Sequence, residues 1–351
     1  MPLPDLLRAL LTAPGPSGYE GAPARVWREA AEGFAEVAGD TLGSSRARVA
    51  AAGDGPRLAL IGHIDEIGLV VTHIDDEGYL YFAGVGGWDW QILVGQRVEV
   101  ITRDAHLPGV VGKKPIHLLK EEERKKVADV KDLHIDIGAK DGDEARGLVR
   151  LGDVAVIAGE PVELPNDRVI SRSMDNRLGA FVVHEAARIV AEAGGAPGDV
   201  VAVAAVQEEI TFAGARTTAF ALDPEVAIVV DVTHATDAPG IEVKALGKHE
   251  LGSGPVIDRG STINPHVFEL LHETAEAEDI PFTVEAHAGR TGTDADAVHL
   301  SKAGVPTGVV SIPLRYMHSP VEMMQLDDVH ACARLIAGFA QRLSPATSFE
   351  R

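Results

Sequence analysis

The chain has 351 residues, 45% of them hydrophobic and 24% charged, with a formal net charge of −21 and a single cysteine, Cys332. That length and composition describe a globular protein with enough apolar material for a large core in one or two domains. So negative a surface repels a nucleic-acid backbone, no apolar run approaches the ~18 residues of a membrane span, and one cysteine excludes an intramolecular disulfide and fits a cytoplasmic location.

In chain order, Leu3–Thr12 has helical spacing; interrupted by Asp5 and Arg8, it is expected to be an amphipathic helix and not a signal peptide. PGPSGYEG breaks it, and Ala22–Ala38 resumes a helix. Leu58–Ile61 is a short apolar strand running into Gly62-His63-Ile64-Asp65-Glu66, and Val70–Ile74 and Tyr79–Phe82 flank a DDEG turn as a hairpin. From about residue 75 to 162 the texture changes. Arg97–Thr102, Gly109–Val111, Leu133–Ile137 and Val154–Ala158 are short runs between Gly, Pro and charged turns, the pattern of a small β-barrel or sandwich. The basic stretch Lys120–Lys131 alternates with Glu121, Glu122 and Glu123 and reads as salt-bridged and solvated. An α/β rhythm then returns: helix Leu178–Glu192, strand Asp199–Val206, helix Gly214–Phe220, strand Val226–Val230, helices Val267–Glu278 and Asp294–Ala303, strand Thr307–Ser311 and helix Asp327–Leu343. Fully apolar strands between amphipathic helices predict a sheet covered on both faces. The expected fold is α/β, with a core domain from residues 1–72 and 164–351 interrupted by an inserted barrel at 73–163.

Hydrolytic sites on such sheets form at strand ends, where loops gather distant residues. His63 and Asp65 point to one side of an extended backbone, so that His63 can bind a metal while Asp65 fixes its imidazole. Asp175, in Ser173-Met174-Asp175-Asn176-Arg177, precedes a helix and, taken alone, is a helix N-cap. Glu208 and Glu209 end a buried strand, where adjacent carboxylates are costly unless a cation pairs with them. A metal neutralises one and leaves the other free for proton transfer. Asp231 ends the next apolar strand, and His318 follows the strand Thr307–Ser311. Two imidazoles and several carboxylates at successive strand ends are the ligand set of a zinc-type ion. The loop Thr291-Gly292-Thr293-Asp294 fits a wall of that site and equally a helix N-cap at Thr293. His106, His117, His134, His184, His249, His266, His272 and His330 have no adjacent acid at a strand end and read as structural; His73, His234, His287 and His299 stay open as neighbours of the site.

These pieces, in this order, resemble the M42 family of metalloaminopeptidases, a group of glutamyl and leucyl aminopeptidases and tetrahedral TET peptidases, some under an older endoglucanase label. The resemblance runs nearly end to end, through PGPSGYE, GHIDEIG, GGWDWQ with GQRV, GVVGKKPIHLL, DLHIDIGA, SMDNR, QEE, VDVTHATDAPG, TGTDADAV and SIPLRYMHSP. It implies two divalent ions per subunit, zinc first and cobalt or manganese as alternatives. Asp175 would bridge them, His63 and Asp231 would complete one site, and Glu209 and His318 the other. Glu208 would be the general base and Asp65 the acid that orients His63. The implied reaction removes N-terminal residues from short peptides, a water shared by the ions attacking the first peptide carbonyl. The implied assembly is a dimer formed through the inserted barrel and, beyond it, a dodecamer. The alternative is a dimetal amidohydrolase or deacylase acting on a non-peptide amide. A glycoside hydrolase needs a carboxylate pair facing a sugar groove, and 5% aromatic residues offer such a groove little stacking surface.

Overall fold

The computed structural model describes residues 2–351. Strands β1 (Glu36–Gly39) and β2 (Ser45–Val49) form a hairpin whose turn is tied by the Asp40 carboxylate, which accepts from the backbone N–H groups of Leu42, Gly43 and Ser44. Strand β3 (Leu58–His63) follows, buried along its whole length. The chain then leaves the core for β4 (Gly68–Ile74), β5 (Leu80–Val85), β6 (Arg97–Ile101), β7 (His106–Lys113), β8 (Leu133–Asp136) and β9 (Val154–Ile157). These close into an antiparallel barrel in the order β4-β5-β8-β7-β6-β9 around their own apolar core, which includes Leu69, Leu80, Val98, Val100 and Ile135. After β10 (Val162–Leu164) and β11 (Arg168–Ser171) come β12 (Val200–Ala205), β13 (Val226–His234), β14 (Val256–Gly260), β15 (Thr283–His287), β16 (Thr307–Leu314) and β17 (Glu322–Gln325).

The core sheet has the order β1-β2-β12-β3-β13-β16-β14-β15. Its centre, β12, β3, β13 and β16, is parallel, and these are the near-continuous apolar runs that burial on both faces demands. The helices Met174–Glu192, Leu326–Arg342 and Pro265–Ala277 pack together on one face; Ala213–Leu222 and Ala295–Val298 pack on the other. The long helix lies unusually close to the sheet because two glycines meet: a Cβ on Gly62 would fall 2.5 Å from the Gly179 carbonyl carbon. That approach brings the start of the helix, and Asp175 with it, beside the end of β3. Among the described residues no helix is long and apolar enough to cross a membrane.

The expected α/β architecture with a barrel inserted is the one observed, with local differences. The helix expected over Ala22–Ala38 spans Gly21–Ala31, because the alternating stretch after Gly33 pairs with β2 instead; tertiary pairing overrides local propensity there. Strand β13 runs on to His234, so Asp231 lies within it and not past its end. The helix expected over Asp294–Ala303 is the single turn Ala295–Val298. Strands β14 and β15 were not anticipated, since their alternating and charged residues lack a continuous apolar signal.

His184, read as structural, packs edge-on against Trp27 and Phe34 with ring centroids 5.5 and 5.0 Å away. Burial pushes its pKa down to about 4. Between pH 6.5 and about 4 the unfolded chain takes up a proton at this position and the folded one does not, so stability falls as pH falls, by on the order of 3 kcal/mol across that window. Thermal melts of His184→Leu are expected to lose less stability between pH 6.5 and 4 than the parent. Equal losses would mean that the acid sensitivity arises elsewhere.

Candidate metal centre

The strand ends gather His63, Asp175, Glu208, Glu209, Asp231 and His318 around one cavity. His63 Nε2 lies 3.2 Å from Asp175 Oδ1, 3.6 Å from Glu208 Oε2 and 3.9 Å from Asp231 Oδ1. On the other side, His318 Nε2 lies 3.2 Å from Asp175 Oδ2 and 3.2 Å from Glu209 Oε1. The two oxygens of Asp175 are therefore divided between two imidazoles. Ligand atoms ~2.1 Å from a tetrahedral ion stand ~3.4 Å apart, so the observed spacings match the edges of a coordination polyhedron. Glu209 Oε1 is buried without a hydrogen-bond partner, which burial penalises unless a cation meets it. His63, Asp175 and Glu209 form one group of ligand atoms within metal-binding reach; His63, Glu208 and Asp231 form another. The donor set, imidazole nitrogen and carboxylate oxygen only, suits a divalent ion of the zinc type.

Asp65 is fully buried and organises this cluster from behind. Its oxygens accept from the Ser17 hydroxyl at 2.5 Å and from the backbone N–H groups of Glu208 and Glu209, each at 3.1 Å. Its Oδ1 also faces His63 Nδ1 at 3.3 Å, though not aligned as a hydrogen bond. On His318, Nδ1 donates to the Gly87 carbonyl at 3.0 Å, which leaves Nε2 free to face the cluster. Gly87 lies between β5 and the barrel's short helix Trp90–Leu93, so the inserted unit orients a core ligand candidate.

The cluster is electrostatically tense. Burial, with the neighbouring carboxylates of Asp231, Asp294 and Asp175, pushes Glu208 up to about 10. Burial alone would depress His318, yet Asp175 and Glu209 carry it up to about 11. Burial alone would raise Asp175, yet His318 and His63 hold it well below the usual carboxylate range. Protons thus stand where cations would, and cation binding must displace them.

Several residues here carried no sequence signal. Glu322 on β17 is buried; its Oε2 accepts from the backbone N–H groups of Met174 at 2.6 Å and Asp175 at 3.2 Å, while Oε1 accepts from that of His318 at 2.8 Å. One carboxylate thereby aligns the backbone on both sides of the cluster. Glu66 is buried between Arg172 and Arg177, with Arg177 at 3.1 Å. Asp296 holds the Thr291–Gly292–Thr293 loop through the backbone N–H groups of Thr291 and Gly292. That loop lines the cavity; the N-cap position of the turn Ala295–Val298 is Asp294 and not Thr293, although the Thr293 hydroxyl accepts from Ala295 N–H. His234 and His287 line the cavity as well, whereas His73 packs on Tyr81 in the barrel and His299 bonds the Ala295 carbonyl. Glu322→Ala is expected to weaken metal binding by about 10- to 100-fold, the range for partners that hold ligands in place, measured by titration calorimetry. Unchanged affinity would show that the backbone around Asp175 and His318 holds its position without it.

Imidazoles and carboxylates gathered at the ends of parallel strands, in one cavity of the core sheet, define a metal-dependent hydrolase. Residues 43–335 match the family described as M42 glutamyl aminopeptidase, and the chain belongs to that family. The lysyl aminopeptidase of Pyrococcus furiosus is 36% identical over 97% of both chains. The TET aminopeptidase of a Thaumarchaeota archaeon from marine sediment superposes with a TM-score of 0.92 at 37% identity, covering 97% of this chain and 96% of that one. The TET1 peptidase of Pyrococcus horikoshii, which can assemble into a tetrahedron or a large octahedral shell, superposes with a TM-score of 0.85 at 32% identity, covering 97% of this chain and 99% of that one. The protein is accordingly a metalloaminopeptidase, a hydrolase of N-terminal peptide bonds.

Proposed function

We propose that the centre is dinuclear, that zinc is its first-choice ion with cobalt or manganese as alternatives, and that Glu208 is its general base. The division of the Asp175 oxygens between His63 and His318 carries this reading. Asp175 would be shared by the two ions, His63 and Asp231 would hold one, Glu209 and His318 would hold the other, and Asp65 would position His63. Bound ions of this kind supply Lewis acidity and lower the pKa of water towards neutrality. Glu208 takes the proton of the attacking water at its carboxylate and returns it to the leaving amine. Asp65 fixes the backbone of both glutamates, so that Glu209 meets a cation while Glu208 stays free to move a proton. A free substrate α-amine is the feature that ties such a site to chain ends.

The same reading assigns short peptides as substrates, the inserted unit at 73–163 as the dimer contact, a dodecamer as the full assembly, and the cytoplasm as the location. The aminopeptidase relatives support the substrate class, and the shell-forming TET1 relative supports a large assembly. The test is peptide cleavage after loading with zinc, cobalt or manganese, comparing free and N-acetylated forms of one peptide. Sequential release of residues from the free form alone is expected. Preferential cleavage of acylated or non-peptide amides would favour a dimetal deacylase on the same scaffold.

A further inference from the structure

The turn that presents Glu208 is held from behind by more than Asp65. Between β12 and the single helical turn Glu208–Thr211 stands Gln207, whose φ of 59° lies in the left-handed region that a residue with a side chain rarely adopts. The backbone N–H groups of Gln207, Glu208 and Glu209 open this turn, where a helix offers its own donors no partner. Two buried carboxylates take all three. Asp65 accepts from Glu208 and Glu209, and Glu20 Oε1 accepts from Gln207 at 3.0 Å. The other edge of the same peptide is also held, the Val206 carbonyl accepting from Gly214 N–H at 2.9 Å.

Glu20 occupies the N-cap position of the helix Gly21–Ala31, yet its side chain makes no capping bond to that helix. It turns instead to Gln207, 187 residues along the chain, and accepts a second backbone N–H, that of Gly18, at 2.7 Å. Burial lifts its pKa to about 7, although both donors favour the charged form. The neutral acid keeps an accepting oxygen, so the contact survives in either form. The segment that carries Glu20 is itself anchored. Ser17 N–H donates to the Glu66 carbonyl at 3.2 Å, the Ser17 hydroxyl donates to Asp65 at 2.5 Å, and the Tyr19 hydroxyl donates to the Gly152 carbonyl at 2.9 Å. Both carboxylates behind the turn therefore belong to one fixed assembly.

We propose that Glu20 is a positioning residue for catalysis: its grip on the Gln207 N–H holds the left-handed turn and so aims the Glu208 carboxylate. The proposal rests on Glu208 being the general base. Without Glu20 one edge of the peptide before Gln207 is free to turn, and a displacement of ~1 Å at a reacting group costs up to about 10²-fold in rate. The test takes kcat, KM and metal content of metal-loaded Glu20→Ala, together with amide hydrogen exchange at Gln207. Its kcat is expected to fall about tenfold or more with KM within about twofold of the parent's, the split of an effect confined to the transition state. Metal content is expected to match the parent, and exchange at Gln207 to quicken about tenfold as the turn opens locally. Glu20→Gln, which keeps an accepting oxygen, is expected to restore most of kcat. Added to Glu208→Gln, Glu20→Ala is expected to cost less than about twofold more, since residues that act through one group are not additive. Should Glu20→Ala not fold, Glu20→Leu, which fills the space without an acceptor, takes its place in each comparison. Unchanged kcat or exchange, lost metal, a defect that Glu20→Gln shares, or a full further loss on top of Glu208→Gln would overturn the positioning role and leave Glu208 as base. A Glu208→Gln protein as active as the parent would overturn the base assignment, and this inference with it.

Discussion

Glu208→Gln is expected to bind divalent ions with the parent's stoichiometry while its kcat falls by about 10²- to 10⁴-fold, the contribution of a positioned general base. Glutamine matches the shape of glutamate, and the backbone N–H that anchors this residue to Asp65 is untouched. What the substitution removes is a proton acceptor held 9% exposed at the mouth of the cluster. Burial already drives Glu208 far above the usual carboxylate range while protons occupy the imidazoles. Cations beside it lower that value towards neutrality, where a carboxylate can both take a proton and return it. Metal content by elemental analysis, alongside turnover of an aminoacyl anilide, separates the two effects. Parent-like turnover with full metal content would assign the proton transfer to another group, and a loss of metal would make Glu208 a ligand.

The parts of this site that could be seen in the sequence are those where polarity interrupts an apolar run. His63, Glu208 with Glu209, and Asp231 each close or interrupt a buried parallel strand, and the fold draws all of them to one cavity. Asp175 was different: alone it fits a helix cap, and only the family resemblance gave it a bridging role. The backbone explains the ambiguity, because Asp175 and Asn176 leave helical geometry inside the segment Met174–Glu192, turning the carboxylate towards the imidazoles. Glu322 was not legible at all. It acts through its side chain on backbone N–H groups nearly 150 residues earlier, a relation that leaves no periodicity. His287 stays open in the sequence as a neighbour of the site, but Asp258 and Glu285 carry no signal there, because β14 and the edge strand β15 are short and mix charged with apolar residues, which looks like loop.

Asp175→Ala is expected to be the most damaging single change, abolishing binding of both ions in place of one. Each oxygen of Asp175 faces a different imidazole, 3.2 Å from His63 Nε2 and 3.2 Å from His318 Nε2. His318→Ala, by contrast, leaves His63, Asp175 and Asp231 together and is expected to retain one ion. The affinity lost in Asp175→Ala should exceed the ~10- to 100-fold typical of residues that merely position a ligand, because the anion that offsets the repulsion between two cations has gone. Anomalous scattering from crystals grown with excess zinc reads both sites at once: no peak in Asp175→Ala, one in His318→Ala and two in the parent. Two peaks in Asp175→Ala would place the bridge on another residue and overturn the bridging role of Asp175.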